Sequence, residues 1–334
     1  MMRARVLAML TDTWGANGGI AQYNRDFVCA LAASEAVERV DVIAYSRAST
    51  LAQLPPAGIS FQARGGRAGF SAASLAAARG HDVVFCGHIH LAPLASLVAR
   101  RARALLWLQV HGVEAWSRPS RLRRAALERA ALVTAVSRYT RERVCAWASV
   151  DPGFVRVLPN TVDTTLFGFE ERVGKRPPVI LSVGRLSAGE KYKGHDRVIP
   201  LLPCLRSRHP GLRYRIVGDG DDRSRLSALA IEHGVAEIVE FVGHVPRKRL
   251  PIELHAASVF VMPSTGEGFG IAFLEALVCG TPAVGLDRDG SRDALGDGDL
   301  GIVTTEHSLF EAIDSALAGS IDSKAMARHA ADRY

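Results

Sequence analysis

The chain has 334 residues, of which 48% are hydrophobic and 22% are charged. This composition is average for folded proteins and excludes disordered, collagen-like and coiled-coil chains. At roughly 150 residues per domain, the length predicts two mid-sized domains. No stretch reaches the roughly 18 apolar residues of a membrane-spanning helix. The first apolar run, Val6 to Leu10, is too short for a signal peptide.

The cysteines and the charges narrow the class of protein further. Five scattered cysteines without a Cys-x-x-Cys pair argue against a disulfide framework or a zinc site, and a reducing cytoplasm fits best. Residues 1–165 carry 20 Arg, no Lys and 11 acidic residues, a net charge of +9, whereas the remaining 21 basic and 23 acidic residues give −2, for a total of +7. Much of the excess lies between Arg118 and Arg143. It is consistent with a solvated helix face or with a surface for anionic lipid or an anionic acceptor, whereas no aromatic-rich basic motif indicates nucleic acid.

Short apolar runs alternate with helix-compatible segments along the chain. The predicted strands are 4–10, 40–45, 82–86, 105–110 and 132–136, followed by 179–183, 214–217, 239–242, 258–262, 283–286 and 301–304. This alternation predicts two doubly wound α/β domains with parallel sheets, at 1–165 and 178–334, joined by a linker at 166–177. Ligands of such sheets bind beyond the carboxyl ends of the strands, so we expect the functional residues in strand-to-helix loops that face a cleft.

The first such loop ends in Gly18 and Gly19 at the start of a predicted helix. These glycines let a phosphate approach the helix N-terminus. They do not match the G-x-G-x-x-G fingerprint, and Gly218 and Gly220 also lack a third glycine. A nicotinamide-dependent dehydrogenase is therefore a poor match.

Charged residues mark two further loops, after the strands at 179–183 and 258–262. In the first, Arg185, Lys191 and Lys193 suit a diphosphate, although a solvated charged loop would also contain such residues. The other contains Glu267, and the predicted helix that follows carries Glu275 two turns in. Because the neighbours of Glu275 are apolar, its carboxylate is costly to bury without hydrogen bonds. We therefore interpret Glu275 as functional.

Three histidines follow predicted strands of the first domain. His88 and His90 alternate after residues 82–86, so we expect them to point the same way from a strand and to line the acceptor side of the cleft. No third metal ligand lies nearby in sequence, so a metal site is disfavoured. His111 follows residues 105–110 in the motif Q-V-H-G. Asn160, in P-N-T-V-D, is interpreted as support for the hinge between the domains.

Together these motifs resemble the retaining, nucleotide-sugar-dependent glycosyltransferases of the GT-B fold, the group 1 type of family 4 with a Glu-x7-Glu motif. The resemblance covers the whole chain, and E-G-F-G-I-A-F-L-E-A-L-V-C-G-T-P is its most specific block. It implies that Arg185 and Lys193 bind the donor diphosphate in place of a metal. The spacing from Arg185 to Lys193 is longer than usual, which keeps Lys191 as an alternative. The resemblance further implies that Glu267 accepts hydrogen bonds from donor-sugar hydroxyls and that Glu275 holds the ribose diol.

The resemblance also implies a wider site and a reaction. His111 lies near the reacting carbon and is grouped with Arg185, Lys193 and Glu267 as catalytic, and the leaving phosphate itself takes the acceptor proton. The implied donor-binding residues are Gly18, Gly19, Gly184, Lys191, Gly243, Phe269, Gly270, Ile271 and Glu275. The donor is a nucleotide sugar, with UDP favoured over GDP, and no metal or other cofactor is expected. The acceptor is a lipid-linked or surface-polysaccharide intermediate, so the enzyme is expected in the cytoplasm and peripherally on the inner face of the membrane.

Two other functions share this fold. A nucleotide-sugar epimerase or phosphorylase is disfavoured by the Glu-x7-Glu block. A protein that binds sugar nucleotides but has lost catalysis is the non-enzymatic alternative. Members of the family usually continue into a terminal helix that crosses back to the first domain, and the chain stops before it at Tyr334, so we expect a truncated chain.

Overall fold

The computed structural model describes residues 3–14, 18–45, 55–171, 177–319 and 321–334. The chain divides into two compact units, Met1–Asn160 (unit 1) and Thr161–Tyr334 (unit 2). Within the described ranges, no helix is both long and apolar enough to cross a membrane.

In its described residues, unit 1 contains a parallel sheet with strand order β3-β2-β1-β4-β5-β6-β7. The strands are β1 (Ala4–Leu10), β2 (Val37–Ala44), β3 (Ile59–Ala63), β4 (Val83–Cys86), β5 (Leu105–Val110), β6 (Leu132–Ala135) and β7 (Val155–Val157). The helices are α1 (Gly19–Ala33), α2 (Arg67–Ala76), α3 (Ala92–Ala102), α4 (Val113–Trp116), α5 (Arg121–Glu128) and α6 (Arg138–Cys145), with 3-10 helices at Ile89–Leu91 and Pro152–Phe154.

The described part of unit 2 contains a second parallel sheet, with strand order β10-β9-β8-β11-β12-β13. Its strands are β8 (Val179–Val183), β9 (Arg213–Val217), β10 (Val239–Gly243), β11 (Val259–Met262), β12 (Ala283–Leu286) and β13 (Ile302–Thr304). Its helices are α7 (His195–Val198), α8 (Leu202–Arg208), α9 (Arg223–Glu232), α10 (Leu250–Ala256), α11 (Ile271–Val278), α12 (Ser291–Ala294), α13 (Leu309–Leu317) and α14 (Ser323–Arg333), with 3-10 helices at Ala188–Lys193, Ile199–Leu201, Arg247–Arg249 and Gly296–Gly298.

The central strands are buried on both faces, which explains their continuous apolar sequences. In β1, the side chains from Val6 to Leu10 are at most 3% exposed. Leu7 and Met9 belong to the core of unit 1, and Tyr214 on β9 belongs to the core of unit 2. The prediction of two parallel-sheet α/β units is confirmed.

The structure adds two edge strands to the first sheet and shows where part of the predicted linker lies. Every predicted strand is present, and two strands at opposite edges of the first sheet, β3 and β7, were not predicted. Residues 166–171 of the predicted linker pack on unit 2, where Phe167 is fully buried. Residues 172–176 of that linker lie outside the described residues.

Each sheet has a point at which the strand order reverses direction, between β1 and β4 in unit 1 and between β8 and β11 in unit 2. Loops that leave neighbouring strands on opposite sides of such a point open a crevice at the carboxyl edge, where doubly wound sheets bind ligands. Gly18 follows β1 and His88 follows β4, whereas Lys193 follows β8 and Glu267 follows β11. The topology therefore brings the predicted site residues to the two reversal points.

Candidate active site

A half-buried ion pair at the reversal point of unit 2 joins Lys193 and Glu267. The Lys193 Nζ lies 2.7 Å from Glu267 Oε1, and the two side chains are only 14% and 16% exposed. Burial disfavours the charged amine, but the Glu267 carboxylate outweighs it and raises the pKa of Lys193 above 10.5. Lys193 reaches Glu267 over Gly184, where a Cβ would lie 2.9 Å from Lys193 Cδ. Glycine at 184 therefore leaves room for the lysine.

The other two cations of this loop have different surroundings. Arg185 Nη2 donates to Glu190 Oε1, and the Arg185 side chain is 73% exposed. Lys191 is also exposed and lies close enough to Asp222 to help lower the pKa of that carboxyl, after the Arg225 hydrogen bond. Of the two alternatives left by the sequence, Lys193 is the lysine that contacts Glu267.

The loops after β8 and β9 are in close backbone contact. Gly218 has a φ of +144°, and a Cβ there would lie 1.8 Å from the carbonyl oxygen of Gly184. The Gly218 N–H donates to the Gly243 carbonyl at 2.8 Å. Both the backbone conformation and the contact require glycine at 218. These contacts place Gly184 and Gly243 beside the same turn.

A buried aspartate supports the Glu267 loop. Asp289 is 2% exposed, and its Oδ2 accepts hydrogen bonds from the Glu267 N–H at 2.7 Å and from Ser264 Oγ at 3.1 Å. Its Oδ1 accepts from the Ser291 N–H at 2.9 Å. Burial raises the pKa of Asp289 against these hydrogen bonds. Asp289 was not predicted from the sequence; it is the third residue after β12 (Ala283–Leu286).

Helix α11 presents Glu275 at a buried position. Gly270, with φ +92° and ψ +70°, precedes the helix, and the first helical residue is Ile271. Glu275 therefore lies one turn into the helix, not two as predicted, because residues 268–270 form the entry turn. Phe269, in that turn, is also buried. The Glu275 carboxylate is 5% exposed and accepts a hydrogen bond from Nη1 of Arg247, a residue not predicted from the sequence.

In unit 1, helix α1 begins where the sequence predicted. Gly18 precedes it with φ +124°, and Gly18 and Gly19 are exposed. Two side chains of the helix hold the loop that follows β1: Asn24 Nδ2 donates to the Asp12 carbonyl at 2.9 Å, and Arg25 donates to the Thr13 carbonyl at 2.7 Å. The exposed start of α1 leaves its first N–H groups accessible to an anion.

His111 is a buried, neutral histidine at the end of β5. Its Nε2 donates to the Gly87 carbonyl at 2.9 Å, which assigns the proton to Nε2 because a carbonyl only accepts. The His111 N–H donates to Glu114 Oε1 at 2.6 Å. Burial lowers the pKa of His111, against the influence of Glu114. The remaining ring nitrogen, Nδ1, is therefore a hydrogen-bond acceptor.

The prediction that His88 and His90 project from a strand is wrong. Strand β4 ends at Cys86, and the two histidines flank a 3-10 helix, Ile89–Leu91. The imidazole of His88 accepts a hydrogen bond from the His90 N–H at 3.2 Å. The two rings nevertheless lie 4.6 Å apart, and the His88 ring lies 6.5 Å from the ring of His111. Burial lowers the pKa of His88 to about 4.

The basic segment forms a surface around α5. Arg118, Arg121 and Arg124 line a surface cavity together with Glu128. Arg124 pairs with Glu128 at 2.7 Å. Leu122, on the same helix, is 73% exposed. An exposed leucine among arginines is a combination typical of surfaces that contact anionic lipid.

The fold and the chain's relatives define its class. Two Rossmann-like units, each with a candidate site at its reversal point, make up the GT-B glycosyltransferase fold. The family described as "Glycosyl transferases group 1" matches residues 164–333, and "Glycosyltransferase Family 4" matches residues 17–166. The chain belongs to the group 1 glycosyltransferases.

Two relatives are mannosyltransferases. The chain is 36% identical over 246 residues to the "GDP-mannose-dependent alpha-(1-6)-phosphatidylinositol monomannoside mannosyltransferase" of Mycolicibacterium smegmatis, covering 67% of this chain and 63% of that protein. It is 32% identical over 279 residues to the Mycobacterium tuberculosis protein of the same name, covering 76% and 71%.

Solved structures share the fold at low identity. HepE of Anabaena in complex with UDP has a TM-score of 0.80 at 19% identity, with 98% of this chain and 94% of that chain covered. Sucrose-phosphate synthase of Thermosynechococcus elongatus has a TM-score of 0.74 at 20% identity, with the same coverage.

Proposed function

We propose that the chain is a retaining glycosyltransferase that moves a hexose from a nucleoside-diphosphate sugar to an acceptor hydroxyl. The observation that carries this proposal is the Lys193–Glu267 pair at the reversal point of unit 2. A cation that can meet a diphosphate and a carboxylate that can accept from sugar hydroxyls lie there in direct contact. The family membership supports the same reaction class.

In this proposal, unit 2 binds the donor. Lys193 and Arg185 neutralise the charge that develops on the diphosphate when the bond to the sugar breaks. Glu267 accepts hydrogen bonds from sugar hydroxyls, and Glu275 accepts from the ribose diol. The entry turn at 268–270 and the first N–H groups of α11 contact the sugar or the phosphate.

The proposed chemical step needs no protein nucleophile. The acceptor oxygen forms a bond to the anomeric carbon on the face from which the diphosphate departs, and the carbon–oxygen bond to the phosphate breaks. The leaving phosphate oxygen takes the acceptor proton, so atoms and charges balance. His111 would accept a hydrogen bond from a donor-sugar hydroxyl at Nδ1 and so position the sugar.

The acceptor and the location are proposed from unit 1. We place a lipid-linked or surface-polysaccharide acceptor on the side of His88 and His90, with Arg118, Arg121 and Leu122 against an anionic membrane surface. The phosphatidylinositol-linked acceptors in the names of two relatives fit this proposal. Binding to vesicles should weaken as salt rises or as anionic lipid is removed. Vesicle binding that depends on neither would contradict the membrane contact.

The test of the donor proposal is a calorimetric titration without added metal, with UDP, GDP, ADP and NAD as separate ligands. Selective binding of one nucleoside diphosphate supports the transferase and names the donor for turnover assays with its hexose conjugates. UDP remains our expectation, although the two mannosyltransferase relatives are named for GDP-mannose. Nucleotide binding without turnover would favour an inactive binding protein, and binding of NAD alone would refute the proposal.

Turnover should also persist in excess EDTA, because the proposal assigns the diphosphate charge to Lys193 and Arg185. A reversible loss of turnover on chelation would show that a metal takes this role.

A further inference from the structure

Arg247 contacts the residue to which we assign ribose binding. It begins the 3-10 helix Arg247–Arg249, which follows β10. Its Nη1 donates to Glu275 Oε1. On the other side, its guanidinium carbon lies 4.8 Å from the centroid of the Phe167 ring.

Glu275 needs a cation because of where α11 places it. Its carboxylate is 5% exposed, and the flanking residues Leu274 and Ala276 are fully buried. An ionised carboxylate in such surroundings is strongly disfavoured unless a charge and hydrogen bonds compensate it. A neutral carboxyl group would be a weaker acceptor for a diol, because one of its oxygens carries a proton. Ribose recognition by Glu275 therefore depends on its staying charged.

The position of Arg247 suits this task. Phe167 is fully buried and presents a ring face to the guanidinium, so the planar cation is held between an aromatic face and a carboxylate. The Arg247 side chain is 30% exposed. A guanidinium at one oxygen occupies only part of the roughly four acceptor positions of a carboxylate.

We propose that Arg247 is a positioning residue for nucleotide recognition: it keeps Glu275 ionised and orients its carboxylate to accept from the ribose diol. This inference rests on the proposed function, specifically on the assignment of Glu275 to the ribose. Arg247 acts through Glu275.

The experiment compares ribose discrimination in wild type and Arg247→Met. Calorimetry measures the affinity for UDP or GDP, whichever the wild type binds, and for the 2′,3′-dideoxy form of the same nucleotide. We expect Arg247→Met to bind the ribonucleotide at least about tenfold more weakly, because a diol acceptor is lost. Affinity for the dideoxy form should be unchanged, so the ratio of the two affinities should fall to that of Glu275→Ala.

Two further variants make the result specific. Arg247→Lys keeps a cation and should retain most of the discrimination. Arg249→Met removes an exposed arginine from the same 3-10 helix and should match wild type. If Arg247→Met does not fold, Arg247→Gln replaces it, with the same loss expected, because the charge is again absent.

The outcomes distinguish a failure of this inference from a failure of the proposed function on which it rests. A folded Arg247→Met or Arg247→Gln protein that keeps the wild-type ratio of affinities would overturn the positioning role. A wild type that binds ribo and dideoxy nucleotides equally would instead refute the assignment of Glu275 to the ribose. A wild type that binds no nucleotide would refute the proposed function itself.

Discussion

Replacing Lys193 by Met should destabilise unit 2, because Glu267 would lose its counter-ion. Removing one partner of a buried ion pair costs about 3–5 kcal/mol. The two side chains are 14% and 16% exposed, so water compensates part of the loss. We therefore expect the free energy of unfolding to fall by about 2–3 kcal/mol. Replacing both residues, as Lys193→Met with Glu267→Gln, removes the stranded charge and should restore most of the stability.

The assay is urea unfolding of wild type, the two single variants and the double variant. Because the double variant regains most of what Lys193→Met loses, the double-mutant cycle should give a coupling energy of about 2–3 kcal/mol. Single-variant effects that add to within about 0.5 kcal/mol would refute the reasoning, since independent sites behave in that way. Turnover separates stability from chemistry, because the stable double variant should remain inactive without its cation.

The pH dependence of this pair has a definite sign. The pKa of Lys193 is raised above its ordinary value of 10.5. Its stabilising contribution is therefore complete below pH 10.5 and is lost only as the pH rises through the higher folded value. The stability difference between wild type and Lys193→Met should thus be constant from about pH 6 to about pH 9.

Three other perturbations test separate parts of the structure. Arg185→Ala should lower turnover by about 30-fold to 1000-fold, or about 2–4 kcal/mol, with little change in urea unfolding, because its side chain is 73% exposed; unchanged turnover would remove its role. Burial lowers the pKa of His195 to about 4, against about 6.5 when unfolded. Stability is therefore lost as the pH falls from 6.5 to 4, by up to about 3 kcal/mol, and His195→Asn should flatten this part of the unfolding profile; an equally steep profile would contradict it. Gly218→Ala should lower the thermal midpoint strongly, because its Cβ would lie 1.8 Å from the Gly184 oxygen; a wild-type midpoint would show that this turn adapts freely.

The strands could be predicted where burial dictates their sequences. β1 and β8 are buried between neighbours and are apolar at all but one position each, Arg5 and Ser182, so composition alone indicates them. β3 lies at the edge of its sheet and reads I-S-F-Q-A, a mixed pattern. β7 has three residues, too few for a periodic signal. Edge position and short length explain both omissions.

At the candidate site too, features that burial dictates could be predicted from the sequence and the others could not. The sequence indicated that Glu275 needs a buried partner, because a carboxylate interrupts an apolar helix. It did not indicate Arg247, which lies 28 positions away in the run Arg-Lys-Arg and resembles a solvated surface segment. His88 was placed on a strand because His-Ile-His alternates with the period of two that is typical of strands, although β4 ends at Cys86. The turn begins after Gly87, which packs closely against Leu10. A Cβ at position 87 would lie 2.5 Å from Leu10 Cδ2, so glycine at this position leaves room for the leucine.

The charges of the candidate donor site are already paired within unit 2. Arg185 contacts Glu190, Lys193 contacts Glu267, and Arg247 contacts Glu275. A diphosphate that engages Lys193 must therefore compete with Glu267, and in doing so it frees carboxylate oxygens for sugar hydroxyls. Binding of a nucleotide sugar would then replace the Lys193–Glu267 contact by two others. Lys193 would contact the phosphate, and Glu267 would accept hydrogen bonds from the sugar. Arg247 differs, since the ribose diol is uncharged and offers it no new anion. Its pair with Glu275 should persist on binding, which is why its loss should affect ribose recognition while the contacts to the diphosphate remain.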